Sequence, residues 1–293
     1  MIICPTCQTR MPPAVNQTMS CVCGSQFKQI DKIWFFEKDY EKSFEDHTAS
    51  AIDQLAKNVN HHFWFLARKR WINSFVRKLL KPGDNFLDVG TGGCDIAVEA
   101  RNNGLEVTLS DIQAESLQRG NTLGFKNLVQ FNLYKPIFAD HFQGVGAFDV
   151  IEHLDDDDAA VSNLIKMTAP GGYLFLTVPA FHSLWNNRDV MERHKRRYDK
   201  KSLEQLFEGK DVEILVHRYI FFSIFPLLVL RALTSRIAPK KIFSSQDYAK
   251  QFVINRWINK FLDRILRFEE TLFSNKGAPF GGSLLIIAKK SNS

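Results

Sequence analysis

Residues 85–95 read NFLDVGTGGCD. An apolar run, Phe86 to Val89, enters Gly90, Gly92 and Gly93, and a helix-compatible segment, Cys94 to Arg101, follows. Strand, glycine turn and helix in that order let an open α/β sheet bring its backbone close to a nucleotide. Glycine suits the turn because a Cβ there would meet the ligand or forbid the conformation. Asp88, late in the strand, is a poor neighbour for a pyrophosphate but a good one for an ammonium group, which points to an amino-acid nucleoside. The next unit agrees. EVTLS, 106–110, reads as a second strand ending at Asp111, about twenty residues on, where a ribose-binding carboxylate belongs.

The pattern continues outward. LVQFN (128–132) reads as strand three, GVGAFDVIEHL (144–154) as strand four running into a loop, and YLFLTVP (173–179) as a buried strand five after a Pro170–Gly171–Gly172 turn. Val212–Val216 is strand six, and SLLIIAKK (283–290) is a late strand seven. Asp149 falls at the carboxyl edge of strand four, where such sheets place ligand contacts. Glu152 and His153 follow on the loop. An imidazole there can take a proton from a hydroxyl, with the carboxylate holding its tautomer; the alternative is that both brace the loop. Asp155–Asp158 suits the start of a helix over Ala159–Met167. His194, Lys195, Arg196, Arg197 and Tyr198 form a basic patch able to bind an anionic substrate group, or to pair internally with that Asp run.

LDVGTGGCD followed by SD resembles motifs I and II of the class I S-adenosylmethionine-dependent methyltransferases. HFWF (62–65), VGAFDVIEHLDDD (145–157), PGGYLFLTVPA (170–180), LW (184–185) and HKRRY (194–198) are similar to the branch related to the ubiquinone-pathway O-methyltransferases. The resemblance implies a Rossmann-like, seven-stranded, mostly parallel sheet with helices on both faces, at residues 61–218. It implies that Asp88, Gly90, Thr91 and Gly92 hold the methionine end of the cofactor. Asp111 with Ile112 would hold the ribose, Asn132 with Leu133 the adenine, and Asp149 would lie near the sulfonium. A helix reading HHFWFLARKRWINSFVRKLL (61–80), stopped by Pro82–Gly83, lies across the cofactor in that family, which makes His62, Trp64 and Arg68 pocket candidates. Two positions depart from the pattern: Cys94 replaces the third glycine and Asn132 the adenine-contacting acid.

Cys4 and Cys7, with Cys21 and Cys23, supply two pairs of thiolates within 1–36, a zinc-ribbon-like set in which metal substitutes for a hydrophobic core. A charged connector, 37–60, carries no chemistry. Between strands six and seven lies a helical insertion, 219–282. It opens on the apolar run Tyr219–Leu233, too short to span a bilayer, and continues as an amphipathic helix over 252–273. Pro226 argues against one straight helix, and Arg231, Arg236, Lys240 and Lys241 suit peripheral membrane contact through 219–241. Residues 283–293 close the sheet.

The chain has 293 residues, 38 basic against 32 acidic side chains, and 25 phenylalanines. A net +6 beside an Asp tetrad does not favour nucleic acid as partner, although an RNA methyltransferase with a ribbon, or a non-catalytic scaffold, are the rival readings. Met1–Cys7 lacks the features of a secretory signal, so a cytoplasmic location is expected. Methyl transfer to oxygen or nitrogen of a small or lipid-linked acceptor is the expected activity.

Overall fold

The computed structural model describes residues 2–37, 58, 60–237 and 253–292. The described chain opens on three short strands, β1 (Thr18–Ser20), β2 (Gln26–Ile30) and β3 (Ile33–Phe35), followed by helix α1 (Phe63–Leu79). The alternation then begins: β4 (Asn85–Val89), α2 (Asp95–Asn102), β5 (Glu106–Asp111), α3 (Ala114–Thr122), β6 (Asn127–Gln130) and β7 (Phe142–Phe148). After it come α4 (Asp157–Met167), β8 (Thr168–Pro179), α5 (Asn187–Met191), α6 (Lys200–Gln205) and β9 (Val212–Ile220). Helices α7 (Phe225–Ile237) and α8 (Arg256–Leu272) precede the last strand, β10 (Ser283–Lys290).

One sheet of ten strands results, in the order β1-β2-β3-β6-β5-β4-β7-β8-β10-β9. From β6 to β8 every pairing is parallel, and β10 enters antiparallel between β8 and β9. The strand order reverses beside β4, which puts the crevice at the carboxyl ends of β4 and β7. Apolar side chains line both faces because helices cover both. In β4, Phe86 enters the core beneath α1, α2 and α3, while Leu87 and Val89 enter the core beneath α4. The same pleat turns Asp88 to the α1 and α2 side.

The expected seven strands are therefore present, and the Cys-rich hairpin lengthens their sheet. β3 pairs in parallel with β6, Ile33 opposite Leu128 and Phe35 opposite Gln130, so the sheet edge is occupied by the N-terminal strands. Two strand boundaries differ from those the sequence suggests. β8 starts at Thr168 and absorbs the Pro170–Gly172 turn as an irregularity: Phe142 pairs Thr168, and Gly144 next pairs Tyr173. β9 runs on to Ile220, so Tyr219 and Ile220 are strand residues opposite Leu284 and Ser283 and not part of the insertion. Pro226 does not break α7, because it stands in the first turn, where a missing N–H costs nothing.

α8 is fixed against α1 by charge as well as contact. The Arg70 guanidinium donates to Glu270 at 2.7 Å and to Asp263 at 2.8 Å. Buried Glu269 accepts from the backbone N–H groups of Phe222 and Ser223, at 2.9 and 2.7 Å, which sets where α7 begins. Most of the connector 37–60, and residues 238–252 of the insertion with Lys240 and Lys241, lie outside the described residues.

Candidate active site

A cavity of about 910 Å³ opens at the carboxyl ends of β4, β5 and β7, walled by α1 and α7. That is large enough for a nucleoside and a second ligand together. Its floor is the glycine loop. Gly90 has φ +66, and a Cβ added there would lie 2.6 Å from Cγ2 of Val150. Gly92 donates its N–H to the Asp111 carboxylate at 3.1 Å, and Gln113 N–H donates to the other oxygen at 2.9 Å. Asp111 is thus held at the cavity wall by the backbone. Cys94 adopts φ +62, the glycine-like conformation that its position demands, and its buried thiol is pushed up to about 12 by burial. It does not line the cavity, so the substitution leaves the ligand space unchanged.

Asp88 lies elsewhere than the sequence suggested. It is buried under the loop, accepts from the Thr91 hydroxyl at 2.8 Å, and is absent from the cavity lining. Burial pushes its carboxyl up to about 7. The acids that face the cavity at this end are Asp95 and Asp149, gathered by Arg68, which donates to Asp149 at 2.5 Å and stands 3.6 Å from Asp95. Arg68 Nε and Asp95 Oδ2 are buried without a hydrogen-bond partner among the described residues. Buried polar atoms are seldom left so. One donor and one acceptor, on two residues that border the cavity, complement the carboxylate and ammonium of an amino acid, and a nucleoside carrying that group fits. Asp95 was missed in the sequence because it reads as an ordinary first-turn acid of α2. Thr91, Ile112, Asn132 and Leu133 line the cavity, the Asn132 side chain accepting from Tyr134 N–H at 2.9 Å.

Two residues beyond Asp149 stands the 3-10 turn Ile151–His153. Glu152 is fully buried, yet neither carboxyl oxygen bonds another of the described residues, and the residue borders the cavity. Burial first, and then Asp149, push its carboxyl up to about 8. No hydrogen bond joins it to His153, so it does not hold that imidazole's tautomer. His153 lines the cavity and packs edge-on against His194, ring centroids 4.7 Å apart.

The basic patch divides. Arg196 pairs with Asp157 at 2.5 Å and donates to the Asp155 carbonyl; Tyr198 is buried and donates to Asp157 at 2.7 Å. Neither lines the cavity. Lys195 pairs with Asp155 and Lys210 with Asp158, while Asp156 caps α4, so the Asp run is consumed by internal contacts. Arg197 and His194 do reach the cavity, both held by Asp189: Arg197 donates at 2.7 and 3.0 Å, and His194 Nδ1 lies at 2.9 Å. Glu192 takes His194 Nε2 at 3.2 Å and Arg188 at 2.7 Å. Burial opposes the His194 imidazolium, but Asp189 and Glu192 outweigh it and raise it to about 10. Asp189 and Glu192 were missed; the signal was the capping box Asn186–Asp189 that opens α5. Trp64 and Arg68 line the cavity from α1, as does His62, whose imidazole burial and Arg188 push down to about 4.

At the N-terminus the sulfurs of Cys4, Cys7, Cys21 and Cys23 all lie within 4.8 Å of one another. Cys4 to Cys23 is 3.7 Å and Cys7 to Cys21 3.4 Å. Four thiolates around one tetrahedral ion would stand about 3.8 Å apart, so the set fits a metal.

Comparison with known proteins places these features in context. The sequence model of a family described as "Methyltransferase domain" matches residues 60–217. The ubiquinone biosynthesis O-methyltransferase of Pectobacterium carotovorum subsp. carotovorum (strain PC1) is 31% identical over 102 residues, 32% of this chain and 43% of that protein. The alignment thus spans less than half the length of that relative. Among solved structures, a chain from the complex between the Haloferax volcanii Trm112 methyltransferase activator and a methyltransferase superposes with TM-score 0.54 at 14% identity. It covers 85% of this chain and 100% of that one. Haemonchus contortus phosphoethanolamine N-methyltransferase 2, solved with S-adenosyl-L-methionine, gives 0.52 at 16% identity, covering 85% and 58%. At these identities the structural likeness shows the fold alone.

Proposed function

Because this chain belongs to the methyltransferase-domain family, we propose that it transfers a methyl group from S-adenosylmethionine to a hydroxyl of a small or lipid-linked acceptor. The cofactor, when bound, supplies a sulfonium whose methyl is already electrophilic. The residues then have to bind, align and exchange one proton. Arg68 with Asp95 and Asp149 would hold the amino-acid end, Asp111 the ribose hydroxyls, and Ile112, Asn132 and Leu133 the base. Asp88 would act through Thr91, fixing the loop. Most of the rate would come from alignment, with His153 and Glu152 supplying proton exchange on the acceptor side.

One observation carries this assignment: a fully buried carboxyl, Glu152, whose two oxygens are unanswered among the described residues, in a residue that borders the cavity beside an imidazole. Its natural partner is an acceptor hydroxyl. Incubation with methyl-labelled S-adenosylmethionine and a bacterial lipid extract should label an organic-phase product. Glu152→Gln should lower the rate by about 10²-fold with cofactor affinity kept. Unchanged labelling in that variant would remove Glu152 from the chemistry, and no labelling with any extract would argue against a lipid-linked acceptor.

The cysteine set would hold structural zinc, its four ligands leaving no open position for catalysis. Purified protein should then contain about one zinc per chain, and Cys4→Ser with Cys21→Ser should contain none. Because β3 is zipped to β6, metal loss should raise amide exchange at Leu128 and Val129. Protection there that is indifferent to zinc would mean that the hairpin stands without it.

For lipid contact through 219–241, Phe221 is unsuited, being buried and stacked on Trp64 with ring centroids 3.9 Å apart, whereas Leu227, Leu230, Leu233 and Ile237 are exposed. α8 offers a second surface. Trp257, Ile258, Phe261, Phe268 and Leu272 are exposed on one face, with Arg256, Lys260, Arg264 and Arg267 along its flank. That composition suits a helix lying in the surface of an anionic bilayer. No helix of the described residues is long and apolar enough to cross one. Trp257→Asp with Phe261→Asp should abolish flotation with phosphatidylglycerol vesicles; equal flotation of variant and wild type would end this reading.

A further inference from the structure

The α7 wall of the cavity carries a cation, Arg231, that forms no ion pair among the described residues. Ile224, Leu227, Leu228 and Arg231 follow one another at steps of three, one and three residues, the spacing of one helix face, and all four line the cavity. Three aliphatic side chains thus lead to a guanidinium one turn further along. Trp64 and Leu184 add to the same apolar surface. Among the described residues, the Arg231 side chain makes neither an ion pair nor a hydrogen bond. The carboxylates nearest in charge are already engaged, Glu192 by Arg188 and His194, and Asp189 by Arg197 and His194. Arg231 is exposed at the cavity wall, yet desolvation by the protein atoms around it, and then the like charge of Arg188, weaken its hold on its proton. A cation under such repulsion at a cavity wall gains most from an incoming anion, and a guanidinium fork fits carboxylate and phosphate.

We propose that Arg231 is the recognition point for an acidic group, carboxylate or phosphate, on an amphiphilic acceptor whose apolar body lies along Ile224, Leu227 and Leu228. This rests on the reading of the cavity as a methyl-acceptor site, and it narrows the acceptor to an anionic amphiphile. The anion assignment expected for His194, Arg196, Arg197 and Tyr198 passes to α7, because those four are held by internal carboxylates.

The test uses full-length protein saturated with S-adenosylhomocysteine, as wild type, Arg231→Gln and Arg231→Lys. Dodecyl phosphate, dodecanol and inorganic phosphate are each titrated calorimetrically below micelle-forming concentrations, and phosphatidylglycerol vesicles are tested by flotation. Dodecyl phosphate should bind wild type at least about tenfold tighter than dodecanol does, and tighter than inorganic phosphate by a similar factor. The advantage over dodecanol should fall to about twofold or less in Arg231→Gln and return in part in Arg231→Lys. S-adenosylhomocysteine affinity should be the same in all three proteins, so a lost subsite is told apart from a lost cofactor site. Equal binding of dodecyl phosphate and dodecanol would overturn the proposal, as would a preference that survives Arg231→Gln. Inorganic phosphate binding as tightly as dodecyl phosphate would also overturn it, by removing the amphiphile. If monomeric dodecyl phosphate fails to bind while vesicle flotation depends on Arg231, the residue serves a lipid surface and the proposal falls.

Discussion

Asp189→Ala should lower the stability of the protein by about 3–5 kcal/mol, a loss on the order of 10 °C in Tm. Asp189 is fully buried and receives Arg197 through two hydrogen bonds, His194 through one, and the backbone N–H of Asn186 at 2.8 Å. Removing it leaves two cations in a water-poor wall, which costs more than the pair itself contributes. The pH dependence identifies the cause. His194 binds its proton more tightly in the fold, up to about 10, so its contribution is complete below the unfolded value near 6.5 and is lost as pH rises through 10. Asp189 is held below the usual carboxylate range: burial opposes this, and His194 and Arg197 overcome it. Its contribution is therefore present above about pH 4 and lost as pH falls. The gap between wild type and variant should be widest near pH 5–6 and narrow toward pH 10. Thermal melts across that range check it, and a gap that stays constant with pH would mean that lost packing, not lost charge, is responsible.

The sheet was legible because its signals are local. Each strand is a short apolar run, and the glycine turn after β4 is confined to eleven residues. Side-chain direction was less legible. Asp88 and Asp95 stand seven residues apart, and only the pleat of β4 and the first turn of α2 decide which of them reaches the cavity. Long-range pairing was hidden too. β3 is three residues long, and nothing in Ile33–Phe35 announces a parallel partner at Leu128–Gln130. The basic patch shows both sides: its residue types fit an anion or an internal network, and the choice depended on where α4 placed Asp157. Arg231 read as a flanking cation of an apolar segment. Its helical phase, three residues after Leu228, is what turns it toward the cavity.

Cofactor binding is the claim on which the others depend, and it predicts the second large effect. Gly90→Val should abolish S-adenosylmethionine binding, because a Cβ there would meet Val150 at 2.6 Å and because φ +66 is strained for a branched residue. Asp111→Ala should weaken binding by about 100-fold, since the carboxylate orders the loop through Gly92 and Gln113 as well as facing the proposed ribose site. The most direct measurement is isothermal titration of wild type, Gly90→Val and Asp111→Ala with S-adenosylmethionine, each protein first shown to be folded. Micromolar binding to wild type, absent from the first variant and about 100-fold weaker in the second, is the predicted result. No heat from folded wild type, or equal affinity in all three, would contradict the account at its base.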